Sequence, residues 1–271
     1  TGYYQMLERS RLAISFELEA DRMRHLTLPE EEFIKERQVV IEERRLRTED
    51  KPNSLTYEQF RATAFLNGPY HRPIIGWMHD LEQLTHADLR AWYRRWYSPA
   101  NAIVVVAGDV EAEAVFALAE RYFGALPGGA APPRRDYPTP RQSGERRITV
   151  RQPAKLPALM MGYHAPVLRA SEDPWQPYAL EVLAHILDGG DSARLTRDLV
   201  RGEQIAASIS VAYDPYDRHA TLFTLSAAPA HGHEIAELEQ ALRDQIAQLQ
   251  QHLVSPEELQ RVKTQVAAAK I

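Results

Sequence analysis

Two carboxylates seven residues apart are the chemistry that first stands out in the sequence. The segment FIKERQVVIEERRLR, residues 33–47, carries Glu36 and Glu43 amid lysine and arginine. At about 100° per residue an α-helix turns both acids in nearly the same direction, between Val39 and Val40. An acid in an apolar stripe is costly unless it is ion-paired or bound to a metal. Two readings follow from helix geometry alone. Glu43 reaches Arg47 at i+4 on a solvated face, or one or both acids face a cationic partner supplied from elsewhere.

The element that must position them is a helix opening at Pro29, with three glutamates at its positive end, and closing before Pro52-Asn53. An amphipathic helix over 3–26, marked by Leu7, Ile14 and Leu18, precedes it. Further helices are predicted over 54–66, from the Thr85-x-x-Asp88 capping box through Tyr97, and over 111–123. The β-branched run AIVVVAGD, 102–109, reads as a buried strand. Residues 126–146 are rich in Pro and Gly without periodicity and read as a linker. Beyond it come strands at 147–152 and 158–165, helices over 175–188 and 192–200, strands at 204–213 and 220–228, and helices over 233–253 and 256–270.

The chain also repeats itself. At an offset of 226, Glu31-Glu32-Phe33 pairs with Glu257-Glu258-Leu259, Lys35 with Arg261, Arg37 with Lys263 and Val40 with Val266. A proline and a His-Leu pair stand just upstream in both copies: Pro29 and His25-Leu26, then Pro256 and His252-Leu253. The copies differ where it matters. Glu36 faces Val262 and Glu43 faces Ala269, so the second copy carries apolar residues at both acid positions.

Composition narrows the function classes. With 271 residues and 44% hydrophobic content the chain can bury a sizeable core. Its net charge of −5 lacks the basic excess of a general nucleic-acid binder. The absence of cysteine excludes disulfides, thiolate metal sites and Cys nucleophiles. It leaves a periplasmic or a cytoplasmic location in a bacterium equally open. No run reaches the roughly 18 apolar residues of a membrane span. The opening Thr1 and a helical pattern still running at Ile271 are read as the ends of an internal piece of a longer polypeptide.

FIKERQVVIEERR, followed by PYHRPIIGWMHDLEQLTHADLRAWYRRWYSPANAIVVVAGDV, resembles the pitrilysin/insulinase type of zinc metallopeptidase, the inverzincins. Bacterial members similar to the mitochondrial processing peptidase are the best match. The resemblance covers the whole chain. It implies an α+β fold of two homologous layered domains, each an antiparallel-rich mixed sheet packed with helices, and both incomplete here. Residues 1–125 would be the C-terminal part of the first domain, 126–146 the linker, and 147–271 the N-terminal part of the second.

In that family an H-x-x-E-H helix supplies two histidine ligands and the general base, and a later E-x6-E supplies the third ligand. By this resemblance Glu43 ligates Zn2+ and Glu36 orients a ligating imidazole. No H-x-x-E-H occurs in the chain; its counterpart in the second copy, YALEVLAHILDGG, holds only His185. His231 and His233 read as a helix-start cluster. The implied function is a fragment of a zinc-dependent endopeptidase acting on peptides or presequence-like segments, inert alone. Its implied partners are a peptide substrate, bound as an added strand, and the missing segments of the parent or a homologous subunit. The competing reading is a non-catalytic scaffold subunit of the same family.

Overall fold

A computed structural model describes residues 1–134, 137, 140 and 142–270. In chain order its helices and strands are α1 (Leu12–Arg24), α2 (Glu30–Arg44), α3 (Pro52–Ala64), α4 (Met78–Gln83), α5 (His86–Trp96), α6 (Ala112–Phe123), β1 (Leu159–Ala165), α7 (Trp175–Asp188), β2 (Ala206–Ala212), β3 (Thr221–Pro229), α8 (Ile235–Gln251) and α9 (Pro256–Ala268). They gather into two compact units. One comprises Thr1–Arg47 with Pro73–Tyr137, the other Thr48–Arg72 with Pro138–Ile271. The segment around α3 thus groups with the second half of the chain.

The first unit is helical among its described residues. The expected helix over 3–26 begins only at Leu12. Glu8 accepts from the Ser10 N–H to close a short 3-10 turn, and Tyr3 lies beneath the Arg22 guanidinium at 3.6 Å. The stripe that α1 buries is Phe16 and Ala20 rather than Ile14 and Leu18, because Phe123 of α6 meets Phe16 edge-on at 6.0 Å. The Thr85/Asp88 capping box is formed in both directions and opens α5.

The buried strand expected at 102–109 is absent. Ile103 and Val105 are 92% and 82% exposed. A strand is held by the N–H and C=O groups of a neighbour, and no described residue pairs with this run. The same holds for 147–152. Of the expected linker, the described positions carry neither helix nor strand; 135, 136, 138, 139 and 141 lie outside the described residues.

The second unit holds an antiparallel sheet in the order β1-β3-β2. Central β3 is paired on both sides, with Gly162 opposite Thr224 and Val211 opposite Leu225. Phe223, Leu225 and Ala227 face a core built with Leu187 of α7, Leu238 and Leu242 of α8, and Leu195 and Leu199. Burying each such leucine stabilises by about 1.5–3 kcal/mol. A π-helical turn, Thr196–Gly202, replaces most of the helix expected over 192–200. On the opposite face Phe60 of α3 lies against β1 at Gly162, where a Cβ would stand 2.5 Å from the phenyl Cζ. Glycine is required there by close approach.

Candidate metal-ligand helix and its counterpart

The acid-bearing helix α2 buries Phe33, Ile41 and Arg44. These residues lie at i, i+8 and i+11, one face of the helix. Arg44 is 4% exposed, and its Nη1 donates to the Gly76 carbonyl at 2.7 Å. On the same side Arg37 Nη1 donates to the Leu84 carbonyl at 2.9 Å. The face that holds α2 in its unit is therefore the one carrying these arginines. The expectation of Glu36 and Glu43 in a buried apolar stripe is corrected: Glu36 and Val39 are exposed, and that flank turns outward in the described chain.

Glu43 is half-buried, its side chain 39% exposed, and Arg47 Nη1 lies 2.9 Å from its Oε1. Such an i,i+4 pair contributes only about 0.3–0.5 kcal/mol. Any stronger cation would displace the exposed arginine. Directly after α2 the chain widens into a π-helical turn, Arg45–Glu49. Single π turns inside helices recur at functional sites.

The second copy shows where the matching positions point. Helix α9 begins like α2, with a proline and acids in its first turn, and Ser255 caps the Glu258 N–H. Val262, the counterpart of Glu36, is 1% exposed and clusters with Val266 and with Ile186 of α7. Ala269, the counterpart of Glu43, borders a cavity of about 670 Å³ together with Glu181, Ala184 and His185 of α7. Lys270 reaches back to Glu181, Nζ to Oε2 at 2.7 Å, and to the Tyr216 hydroxyl at 3.0 Å. His185, which also borders the cavity, has its Nδ1 3.0 Å from the Glu181 carbonyl oxygen. Burial first, and then the negative charges of Glu181, Asp214 and Asp217, push the Tyr213 hydroxyl up to about 12.

The remaining histidines do not converge. His233 Nδ1 sits 2.8 Å from Glu237 at i+4, at the start of α8. His86 bonds the Leu28 carbonyl oxygen, and His164, whose pKa burial lowers, stacks edge-on to Phe65. Among the described residues no group of three or more His, Asp or Glu is placed to hold a metal ion. The resemblance assigns this chain one zinc donor, the Glu43 carboxylate, whereas a catalytic zinc takes three protein ligands. The described residues therefore do not by themselves make up a zinc site. Sequence reasoning missed the cavity-lining groups Arg61 and Asp188. The only advance signal was the spacing of Glu181 and His185, one helical turn apart.

Residues 83–266 match the family described as the Peptidase M16 inactive domain. The chain belongs to the M16 peptidase family. Within that family it is similar to the zinc protease PqqE of Helicobacter pylori, 35% identical over 210 residues that make up 76% of this chain and 46% of the relative. The structure of a protease from Helicobacter pylori superposes with a TM-score of 0.87 at 30% identity, covering 97% of this M16 chain and 63% of that one. The M16 inactive domain from Pseudomonas fluorescens shares the fold, with a TM-score of 0.78 at 19% identity over 96% of this chain and 61% of that one. This M16 chain spans about half the length of the curated relatives it matches. The helix-and-antiparallel-sheet architecture is thus an M16 fold, and the relatives' names place zinc and proteolysis at the level of the family.

Proposed function

We propose that this chain is part of a zinc-dependent endopeptidase that hydrolyses peptide bonds in peptides or presequence-like segments, with Glu43 as a metal ligand and Glu36 orienting a ligating histidine. The observation that carries the reading is the position of the second-copy counterparts. Val262 packs on α7 and Ala269 borders the cavity beside His185. Glu181, Ala184 and His185 stand at the same i, i+3, i+4 spacing as H-x-x-E-H. By the repeat, Glu36 and Glu43 face whatever takes the place of α7 in the first copy. In a zinc endopeptidase that element is the H-x-x-E-H helix, and the outward flank of α2 is the side it would cover.

A Zn2+ held in part by Glu43 would supply Lewis-acid chemistry, polarising a bound water and the scissile carbonyl. Residues of this chain contribute one carboxylate and its supporting acid; no hydrolytic step is assigned to them, and the chain alone is inert. The domain reading stands with this proposal: 1–125 from the first domain, 126–146 linking, 147–271 from the second.

The test is Glu43→Gln in the full-length parent. Stoichiometric zinc and peptide cleavage are lost while the circular dichroism spectrum and melting temperature are kept. A variant that retains one zinc per chain removes Glu43 as a ligand. A parent without H-x-x-E-H upstream of Thr1 removes the endopeptidase reading itself.

A further inference from the structure

The cavity of about 670 Å³ in the second unit carries chemistry that the metal reading does not use. Its volume falls within the roughly 300–1,000 Å³ of small-ligand sites. Four carboxylates border it: Glu181, Asp188, Asp214 and Asp217. Three are engaged. Glu181 holds Lys270, Asp188 Oδ2 accepts from the Val211 N–H at 3.0 Å, and Asp214 Oδ1 accepts from the Tyr216 N–H at 2.8 Å. Asp217 is half-buried and has no ion-pair or hydrogen-bond partner among the described residues.

The same cavity is also bordered by Arg61 of α3. Its guanidinium lies 5.0 Å from the Phe65 ring centroid, 5.2 Å from that of Tyr70 and 5.7 Å from that of Tyr57, and Nη1 donates to the Tyr57 hydroxyl at 3.2 Å. No carboxylate lies within 4 Å of it among the described residues. Three rings fix the orientation of this cation and leave its remaining N–H groups without an acceptor. A guanidinium so held is preorganised for two-point binding of a carboxylate.

The charges decide the ligand class. A bare cation would meet Arg61, and a doubly charged anion would meet Asp214 and Asp217. A ligand with one carboxylate and at least one ammonium satisfies both signs of charge. We propose that this cavity binds a short peptide, its free C-terminal carboxylate on Arg61 and a cationic group on Asp217. The site is independent of Glu43 and of any metal.

Calorimetric titration of the chain with the tripeptide Lys-Ala-Ala, its C-terminal amide and Ala-Ala-Ala tests the proposal. Lys-Ala-Ala binds saturably, and amidation weakens it about tenfold or more, the loss of a charge-assisted contact. Arg61→Met removes the difference between acid and amide. Asp217→Asn weakens Lys-Ala-Ala more than Ala-Ala-Ala. The acid–amide comparison alters only the ligand, so it remains decisive if Arg61→Met disturbs the aromatic cluster. Absence of saturable binding, or equal affinity for acid and amide, overturns the proposal. Metal content plays no part in the readout, so its failure leaves the Glu43 reading untouched, and the reverse.

Discussion

Arg194 grips Glu258 at two points, Nε to Oε1 at 3.0 Å and Nη2 to Oε2 at 2.6 Å, with both side chains more than four-fifths buried. This pair ties the first turn of α9 to the segment after α7. The Arg194 guanidinium holds the Glu258 carboxyl below the usual range. A depressed carboxyl contributes stability that is present above its unfolded pKa, about 4.3, and lost as pH falls through the folded value. The chain therefore loses stability on acidification below about pH 4.3. Glu258→Gln lowers stability at pH 7 by about 1–3 kcal/mol and flattens that acid limb. Urea midpoints at pH 3 to 7 check both, and an unchanged limb removes the pair as its source.

Gly162→Ala places a methyl 2.5 Å from Phe60 Cζ. Overpacking of this kind costs about 1–3 kcal/mol. Phe60→Leu on the same chain relieves the clash and recovers part of the loss, measured by thermal melts of the single and double variants. Independent, additive effects would show that α3 does not rest on β1 at this point.

The two copies of the repeat respond oppositely to exchange of their acid positions. Val262→Glu buries an unpaired carboxylate beside Ile186 and costs about 3–5 kcal/mol. Glu36→Val, on an exposed flank, changes stability of the isolated chain by no more than about 0.5 kcal/mol. Denaturant unfolding of both variants compares them directly. A destabilising Glu36→Val would mean that the acid already has a partner in this chain.

The run Ile103–Val105 is extended, apolar and exposed, the kind of surface through which chains associate. Replacing Ile103 and Val105 with threonine reduces concentration-dependent association in sedimentation velocity and leaves the melting temperature unchanged. A drop in melting temperature instead would place these side chains in the chain's own core.

Periodicity and punctuation made most helices legible. Pro29 and Pro256 with acids behind them start α2 and α9, the Thr85/Asp88 box starts α5, and the segments expected as strands at 158–165, 204–213 and 220–228 are β1, β2 and β3. Residues 102–107, AIVVVA, are richer in β-branched residues than any of those strands yet are not one, because pairing belongs to the neighbour and not to the run. Local pattern did not indicate which face of a helix is buried. It favoured Ile14 and Leu18, whereas Phe123 selects Phe16; it left Glu36 open between a solvated and a partnered face, whereas Phe33, Ile41 and Arg44 set the buried face of α2 about a quarter turn away and leave Glu36 exposed.

By itself the sequence determined most helix starts, the repeat and the pair of acids two turns apart, since these depend on spacing along the chain. Only the tertiary structure decided that the counterparts of those acids meet α7 and that Arg61 and Asp217 share a cavity. Such relations join residues far apart in the chain, 156 positions for Arg61 and Asp217, and what brings them together is the packing of one element on another, which spacing along the chain does not encode.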